Sequence, residues 1–160
     1  MTVPTYRSGP TQMVRAPSDP AYAIRPGMLV GLFSGVLRPP SGTPWADEVN
    51  ATRELFSGSF LGVAHTSSEV GESETISVDI SPMAVYAPAV EPGGVALGTP
   101  LGPADAGGAL SDDLLAPVGN RERAIALAME TVSATETVVR VGFASAFNPA
   151  ANHTASMGRP

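Results

Sequence analysis

Glycine and proline are the residues that most constrain this chain, because 17 glycines and 16 prolines occur among its 160 residues. Together they normally account for only about 12% of a protein. Proline interrupts helices and central strands, while glycine favours tight turns. A chain interrupted this often is expected to form short strands joined by turns rather than a bundle of long helices. The composition therefore predicts a mainly β fold.

The size and residue content of the chain predict a folded domain. A chain of this length buries roughly 70% of its unfolded surface, and its hydrophobic content of 43% argues against general disorder. There is no cysteine, which excludes a disulfide-stapled scaffold and thiolate chemistry. The first residues lack the apolar run of a signal peptide, and no stretch approaches the roughly 18 apolar residues of a membrane span. We therefore expect neither an export signal nor a membrane partner.

Charge is distributed unevenly along the sequence. Residues 1–38 contain four arginines and one acidic residue, whereas residues 39–160 contain five arginines and fourteen acidic residues. A basic segment attached to an acidic body predicts that the segment docks onto an acidic partner. Four widely spaced arginines do not make a continuous phosphate-binding surface, so nucleic acid is not the expected partner.

The two ends of the chain differ in pattern from its middle. Residues 1–26 hold five prolines and no sustained hydrophobic period, which predicts an extended, Pro-rich N-terminal arm. Residues 27–147 are predicted to form a β-rich domain, and residues 148–160 a second extended tail. A Pro-rich arm is normally disordered in water, so it needs a surface on which to lie.

Several strands can be placed from local patterns. Two apolar runs, Met28–Phe33 and Val36–Arg38, flank Ser34 and Gly35, a spacing typical of a hairpin. Residues 84–90 are predicted to form a further strand, and residues 111–115 a capped helical turn.

One short helix is predicted over residues 44–56. Thr43 is placed to cap it, Pro44 suits its first position, and Gly58 lies just beyond its end. Trp45, Val49, Thr52 and Phe56 would share one face of this helix. We therefore expect Trp45 to lie in the core.

Two later segments resemble each other, about 63 residues apart. In each, an apolar strand is followed by a polar loop and then by a strand of alternating character; they are Phe60–His65 with Thr75–Ile80, and Ala124–Met129 with Thr137–Phe143. The expected inward-facing residues are Ile76, Val78, Ile80, Val139, Val141 and Phe143. The likeness indicates either an internal duplication or pseudo-symmetric barrel, or a chance similarity between two hairpins.

The sequence offers little that points to catalysis. His65 and His153 lie on different elements without metal-ligand spacing, and His65, Asp79 and a serine would need a nucleophile elbow that the chain lacks. The adjacent Asp112 and Asp113 diverge on a helical turn. The acidic loop containing Glu69, Glu72 and Glu74 does not match a calcium-binding loop. We expect no catalytic residue, no cofactor, no metal site and no enzymatic activity.

The layout resembles the head-decoration (capsid cement) proteins of tailed bacteriophages, including lambda-type β-tulip proteins and related small β-barrel proteins. The likeness is strongest over three consecutive segments and weaker over two others, namely Ala124–Met129, Ser133–Thr137 and Val138–Phe143, then Phe60–Ala64 and Arg25–Leu29. The resemblance implies a small β-barrel or β-tulip-like domain, from which this chain departs by its one short helix over residues 44–56 and its longer C-terminal tail. It also implies a homotrimer bound to the major capsid protein on the outer surface of the virion, where it stabilises the shell.

In this interpretation the N-terminal arm binds the capsid. Its expected contact residues are Tyr6, Arg7, Arg15, Tyr22 and Arg25. Two alternatives stay open from the sequence. One is another phage structural component, such as a tail-tube, head-completion or fibre-associated protein. The other is an enzyme or a small-ligand binder that uses the mouth of a barrel.

Overall fold

The fold is mainly β, as predicted, and consists of two antiparallel sheets with one α-helix. The computed structural model describes residues 3–148. The six-stranded sheet contains β1 (Thr5–Ser8), β7 (Val85–Ala87), β8 (Pro100–Asp105), β9 (Leu110–Pro117), β10 (Ala126–Ala128) and β11 (Val141–Phe143). The five-stranded sheet contains β2 (Met13–Pro17), β3 (Leu29–Phe33), β4 (Val36–Arg38), β5 (Phe60–Ala64) and β6 (Thr75–Asp79). The helical elements are α1 (Val49–Ser59) and two 3₁₀ turns, Pro40–Gly42 and Arg121–Arg123.

The predicted hairpin is formed by β3 and β4. Phe33 pairs with Val36, and the two residues between them, Ser34 and Gly35, have φ angles of 50° and 84°. Two consecutive positive φ angles are typical of a type I′ turn, whose twist matches that of the strands it joins. The prediction of a two-residue turn is confirmed.

Helix α1 begins later than predicted, because Glu48 caps it instead of Thr43. The Glu48 side chain accepts hydrogen bonds from the backbone N–H groups of Asn50 and Ala51. Asp47, with φ of 70°, turns the chain before this cap, so Trp45 lies in the preceding loop. The Trp45 side chain is 38% exposed, and its predicted place in the core is wrong. Phe56 is buried, as expected from the apolar face. Within residues 3–148, no helix is long and apolar enough to span a membrane.

The chain contains two copies of the same strand arrangement. Strands β2 to β6 (residues 13–79, the N-terminal repeat) lie in the order β2-β6-β5-β3-β4. Strands β7 to β11 (residues 85–143, the C-terminal repeat) lie in the order β7-β11-β10-β8-β9, with β1 added outside β7. In each copy a helical element separates the third strand from the fourth, α1 in the first and the second 3₁₀ turn in the other.

The two repeats also agree in strand register and in loop hydrogen bonds. Three pairs of facing residues on neighbouring strands correspond between the repeats. Leu29 facing Val63 corresponds to Pro100 facing Leu127, Val63 facing Asp79 to Leu127 facing Gly142, and Val14 facing Val78 to Tyr86 facing Val141. Backbone hydrogen bonds correspond in the same way, as in Gly27 N to Ala64 O with Gly98 N to Ala128 O, and Asp19 N to Leu37 O with Glu91 N to Leu115 O. Agreement at so many separate positions favours internal duplication over chance similarity.

The apolar core has a small part and a large part. The small cluster belongs to the N-terminal repeat and includes Ile76, Val78 and Ile80. The large cluster contains their counterparts, Val139, Val141 and Phe143, so the predicted inward-facing set is confirmed. The large cluster also takes in side chains from the opposite face of the N-terminal repeat, namely Leu29, Phe60 and Val63. One repeat therefore packs its outer face against the core of the other.

The segment predicted as an N-terminal arm is extended and is hydrogen-bonded to both sheets. Strand β1 pairs with β7 at the edge of one sheet, and β2 pairs with β6 at the edge of the other. The surface on which this segment lies therefore belongs to its own chain.

Two other predictions concern the later part of the chain. Residues 111–115 lie within β9, so the predicted helical turn there is wrong. The predicted C-terminal tail, residues 148–160, lies outside the described residues except for Asn148. The Asn148 side chain donates hydrogen bonds to the Ile80 carbonyl and to Gln12 Oε1.

A glycine at equivalent positions of β3 and β8 lets the helical element of each repeat approach the sheet. A Cβ atom on Gly31 would lie 3.3 Å from the carbonyl oxygen of Ser59, at the end of α1. A Cβ atom on Gly102 would lie 2.5 Å from the carbonyl oxygen of Arg123, at the end of the second 3₁₀ turn. Since this second contact is with backbone, no side-chain rotation relieves it.

We predict that Gly102→Ala lowers the free energy of unfolding by about 3 kcal/mol, the upper part of the range for overpacked sites. Gly58→Ala is the matched control, because Gly58 lies within α1 and a Cβ atom there meets nothing within 4 Å. We expect this control to gain about 0.5–1 kcal/mol from helix propensity. Urea unfolding measures both changes. Equal stability of the two variants would contradict the close approach.

Candidate functional site

The predicted capsid-contact residues fall on three different parts of the fold. Tyr6 and Arg7 lie on β1, and Arg15 lies on β2, so these three are on the edge strands of the two sheets. Arg7 and Arg15 are exposed and form no ion pair within residues 3–148. The two strands are joined by only four residues, 9–12. The chain thus presents two cationic edges at its beginning.

Tyr22 and Arg25 lie in the connection between β2 and β3 and already have partners in the fold. The Arg38 guanidinium lies 6.0 Å above the Tyr22 ring and donates to Asp19 at 2.8 Å. The backbone N–H of Ala21, together with Arg38, holds the pKa of Asp19 below its ordinary value. Arg25 forms an exposed ion pair with Glu69 at 3.3 Å. The structure therefore does not bring all five predicted residues into one surface.

A buried polar chain joins the two repeats and was not predicted. The Tyr86 hydroxyl donates to Asp79 Oδ2 at 2.7 Å. The Tyr86 hydroxyl oxygen also lies 2.9 Å from His65 Nε2. Since the Tyr86 proton is directed at Asp79, the Tyr86 oxygen accepts from a protonated His65 Nε2. Tyr86 and Asp79 are 2% and 3% exposed. Burial, followed by the hydrogen bond to Asp79, raises the pKa of Tyr86.

Asp79 also anchors the beginning of the chain. Its second oxygen, Oδ1, accepts hydrogen bonds from the backbone N–H groups of Gln12 at 3.0 Å and Ser81 at 2.9 Å. With Tyr86 on Oδ2, both carboxylate oxygens are occupied. A buried carboxylate satisfied in this way fixes three segments relative to one another.

The sequence had raised His65, Asp79 and a serine as a candidate nucleophilic site. In the fold, His65 and Asp79 are joined through Tyr86. Within residues 3–148, no serine side chain is hydrogen-bonded to the His65 imidazole, whose partner is Tyr86. A cavity of about 290 Å³ lies beside His65, between the N-terminal segment and Tyr86, with Tyr6 at its edge. The Tyr6 ring packs edge-on against Tyr86, with 5.7 Å between their centroids. In this arrangement the polar chain holds the repeats and β1 together.

The remaining polar candidates make structural contacts within the chain. Both oxygens of Asp112 accept hydrogen bonds from Ser41, and Glu72 accepts from the Glu69 backbone in the acidic loop. Among the described residues, no group of three or more histidine, aspartate or glutamate side chains is placed to hold a metal ion. His153 lies outside the described residues.

Arg53 is a second buried polar residue that the sequence did not single out. Its Nε donates to the Pro103 carbonyl at 2.8 Å, and its Nη1 donates to Asn50 at 2.9 Å. Burial lowers the pKa of this guanidinium from its ordinary value. Because the contact joins α1 to β8, Arg53 ties the helix of one repeat to the sheet of the other.

Comparisons with known proteins find a likeness in structure but none in sequence. No protein-family model matches the chain, and no curated protein matches it. The fold is similar to a crystal structure of the N base of the head fibre gp8.5 of bacteriophage phi29, with a TM-score of 0.43 and 13% sequence identity. The match covers 82% of this chain and 94% of that one.

We predict that Tyr86 makes the fold sensitive to alkali. A tyrosine whose pKa is raised in the folded state stabilises the fold fully below its unfolded pKa of about 10 and progressively less above it. Above about pH 10, the free energy of unfolding should therefore fall by up to about 1.4 kcal/mol per pH unit on account of this residue. Tyr86→Phe should remove that part of the slope while lowering stability by about 1–3 kcal/mol at pH 7, since it leaves Asp79 Oδ2 without its donor. Urea unfolding from pH 7 to 11 measures both effects.

Tyr22→Phe is the control, because the Tyr22 ring packs beneath Arg38 rather than in the buried chain. It should keep the alkaline slope of the wild type. An unchanged slope in Tyr86→Phe would contradict the role of this hydroxyl.

Proposed function

We propose that this protein is a virion structural protein that binds the outer surface of a phage capsid and stabilises the shell. Its expected partner is the major capsid protein, with three copies acting together as a homotrimer on the shell. The observation that carries the proposal is the pair of cationic edge strands, β1 and β2, at the beginning of an otherwise acidic chain. The resemblance to capsid cement proteins supports it from the sequence.

Edge strands offer two kinds of interaction to a partner. β1 pairs on one side only, and β2 does so along Met13–Pro17, before Ser18 bridges to Leu37 of β4. Both strands therefore retain outer backbone groups that another chain can use. Arg7 and Arg15 add positive charge at these edges. Positive charge on a docking surface attracts an acidic partner and helps to fix its orientation.

Binding of this kind stabilises a shell without any chemical step. A protein that binds only the assembled lattice shifts the equilibrium towards assembly by mass action. A trimer that touches several shell subunits gains further from multivalency, because the second contact forms at high effective concentration.

The proposal predicts many copies of the protein in each particle. Quantitative mass spectrometry of purified particles should give a number of copies comparable to that of the major shell protein. A handful of copies would instead place the protein in a tail, a head-completion complex or a fibre, and would contradict decoration of the lattice.

We also predict that charge reversal on the edge strands weakens binding to the shell. Arg7→Glu and Arg15→Glu should each lower affinity for undecorated shells by about tenfold, and the loss should shrink as salt rises. Point variants are preferable to removal of residues 1–24, since that deletion would also remove the Gln12 bond to Asp79 and both edge strands.

Arg140→Glu is the matched control, because it makes the same charge change at an exposed position outside β1 and β2. Co-sedimentation with shells measures the three variants. An equal loss in Arg140→Glu would show that only net charge matters and would contradict a specific edge.

A further inference from the structure

The outer face of the C-terminal repeat carries an apolar groove of about 190 Å³. The groove crosses β10 and β11, and its lining includes Pro82, Arg121, Ala124, Leu127, Met129 and Gly142. The Met129 side chain is 52% exposed. An open apolar recess on a folded surface is typical of a docking site.

The internal duplication shows what this face does in the other repeat. By strand register, Leu127 corresponds to Val63, and Gly142 corresponds to Asp79. In the N-terminal repeat this face is buried against two aromatic side chains of its neighbour. Phe143 lies with its ring centroid 5.7 Å from that of Phe60, and Tyr86 is bonded to Asp79. The same face therefore receives aromatic rings inside the chain and is open at the end of the chain's second repeat.

Smaller residues line the open copy of this face. Ala124 lies three residues before Leu127, just as Phe60 lies three residues before Val63, so Ala124 is the counterpart of Phe60. In the same way Gly142 is the counterpart of Asp79. These exchanges remove a ring and a carboxylate and leave a recess the size of one aromatic side chain. We propose that the groove binds the Trp45 side chain of a second copy of this chain.

Trp45 is suited to this contact by its exposure and its rigid support. It is 38% exposed although it is a large apolar side chain. The loop that carries it is held to α1 by a hydrogen bond from Ala46 N to Thr52 Oγ1 and by the Glu48 cap. An exposed tryptophan on a fixed backbone loses little entropy on binding and is a typical interface anchor.

Charge at the two surfaces is complementary. Arg121 lies at the groove and forms no ion pair within residues 3–148. Asp47 is exposed two residues after Trp45 and likewise forms no ion pair within the described range. Insertion of Trp45 would bring a carboxylate to the side of the groove that carries a guanidinium, which favours this pairing over other apolar contacts.

The contact requires a second copy because the two surfaces are separated within one chain. Trp45 precedes the first residue of α1, whereas the Ala124 end of the groove is bonded to Ser57, in the last turn of that helix. An eleven-residue helix is about 16 Å long. Two different surfaces of identical chains can meet in a reciprocal pair related by a two-fold axis, or head to tail, which closes as a ring or continues as a filament. This self-association would supply a contact between copies of the proposed homotrimer, but it needs no capsid and is tested separately from binding to shells.

The chain's single tryptophan makes the contact directly measurable. Analytical ultracentrifugation of the full chain should show its mass rising from 16.3 kDa to a multiple as concentration increases. Tryptophan emission should shift to shorter wavelength over the same concentration range, because the indole leaves water. A mass that stays at one chain, or a mass that rises without any emission shift, would overturn the proposal.

Variants on both sides of the contact complete the test. Leu127→Asp places a charge in the groove, and Trp45→Ala removes the anchor; each should weaken association at least about thirtyfold, as expected for a central interface residue. Leu97→Asp is the matched control, since Leu97 is 67% exposed and lies outside the groove. Circular dichroism checks that each variant folds.

The charge pair is tested by Arg121→Gln and Asp47→Asn, the second chosen because asparagine also tolerates the positive φ of Asp47. If the groove takes Trp45, the double variant should associate no more weakly than either single variant. Additive losses, or association that Leu127→Asp leaves unchanged, would assign the interface to another surface. Binding to shells without self-association would overturn this contact while leaving the proposed function intact.

Discussion

The buried Asp79 carboxylate is the constraint on which the arrangement of the two repeats depends. It accepts one hydrogen bond from Tyr86 of the C-terminal repeat and two from backbone groups of Gln12 and Ser81. Burying a carboxylate is costly unless its oxygens find donors, and here the donors come from three separate parts of the chain. The repeats and the N-terminal segment are therefore positioned by a single side chain, around which the Phe60 and Phe143 rings supply apolar packing.

Duplication explains why the protein has one internal interface and one unused copy of the same face. Two modules that stack face to back bury one such face and leave another at the end of the stack. The buried face has acquired a ring and a carboxylate, Phe60 and Asp79, that suit a permanent neighbour. The open face carries Ala124 and Gly142 at those places and holds a recess instead. The two repeats thus differ at these positions, where their surroundings differ.

Features set by near neighbours in the sequence were predicted well. The β3–β4 hairpin follows from two turn residues between apolar runs, and the pairings of β5 with β6 and of β10 with β11 follow from alternating side chains. Errors arose where two local signals competed. Thr43 was the predicted cap of α1, but the Glu48 side chain is the one that bonds the backbone of the first turn. Ser111 and the two aspartates after it suggested a helix start, but their segment completes a sheet edge.

The polar chain could not be predicted, because its members are joined only by the fold. His65, Asp79 and Tyr86 follow no motif spacing, and each sits in a strand or loop whose pattern is otherwise ordinary. One signal was available: Tyr86 is a hydroxyl-bearing residue in an apolar strand, and a buried hydroxyl needs a partner. The pairing of β1 with β7 and of β2 with β6 was missed, because strand pairing across such sequence distances leaves no local pattern. The prolines of this segment suggested an arm that is not part of a sheet.

The position of β1 has a consequence for biosynthesis. Thr5 pairs with Ala87, so β1 finds its partner only after more than eighty further residues have been synthesised. Contacts between such distant residues are slow to form, because the entropy cost of closing a long loop comes before the contacts can stabilise the chain. Every strand of the N-terminal repeat is therefore synthesised before the strand that pairs with β1. Completion of the six-stranded sheet has to await the C-terminal repeat, so β1 is synthesised before β2 but is secured later.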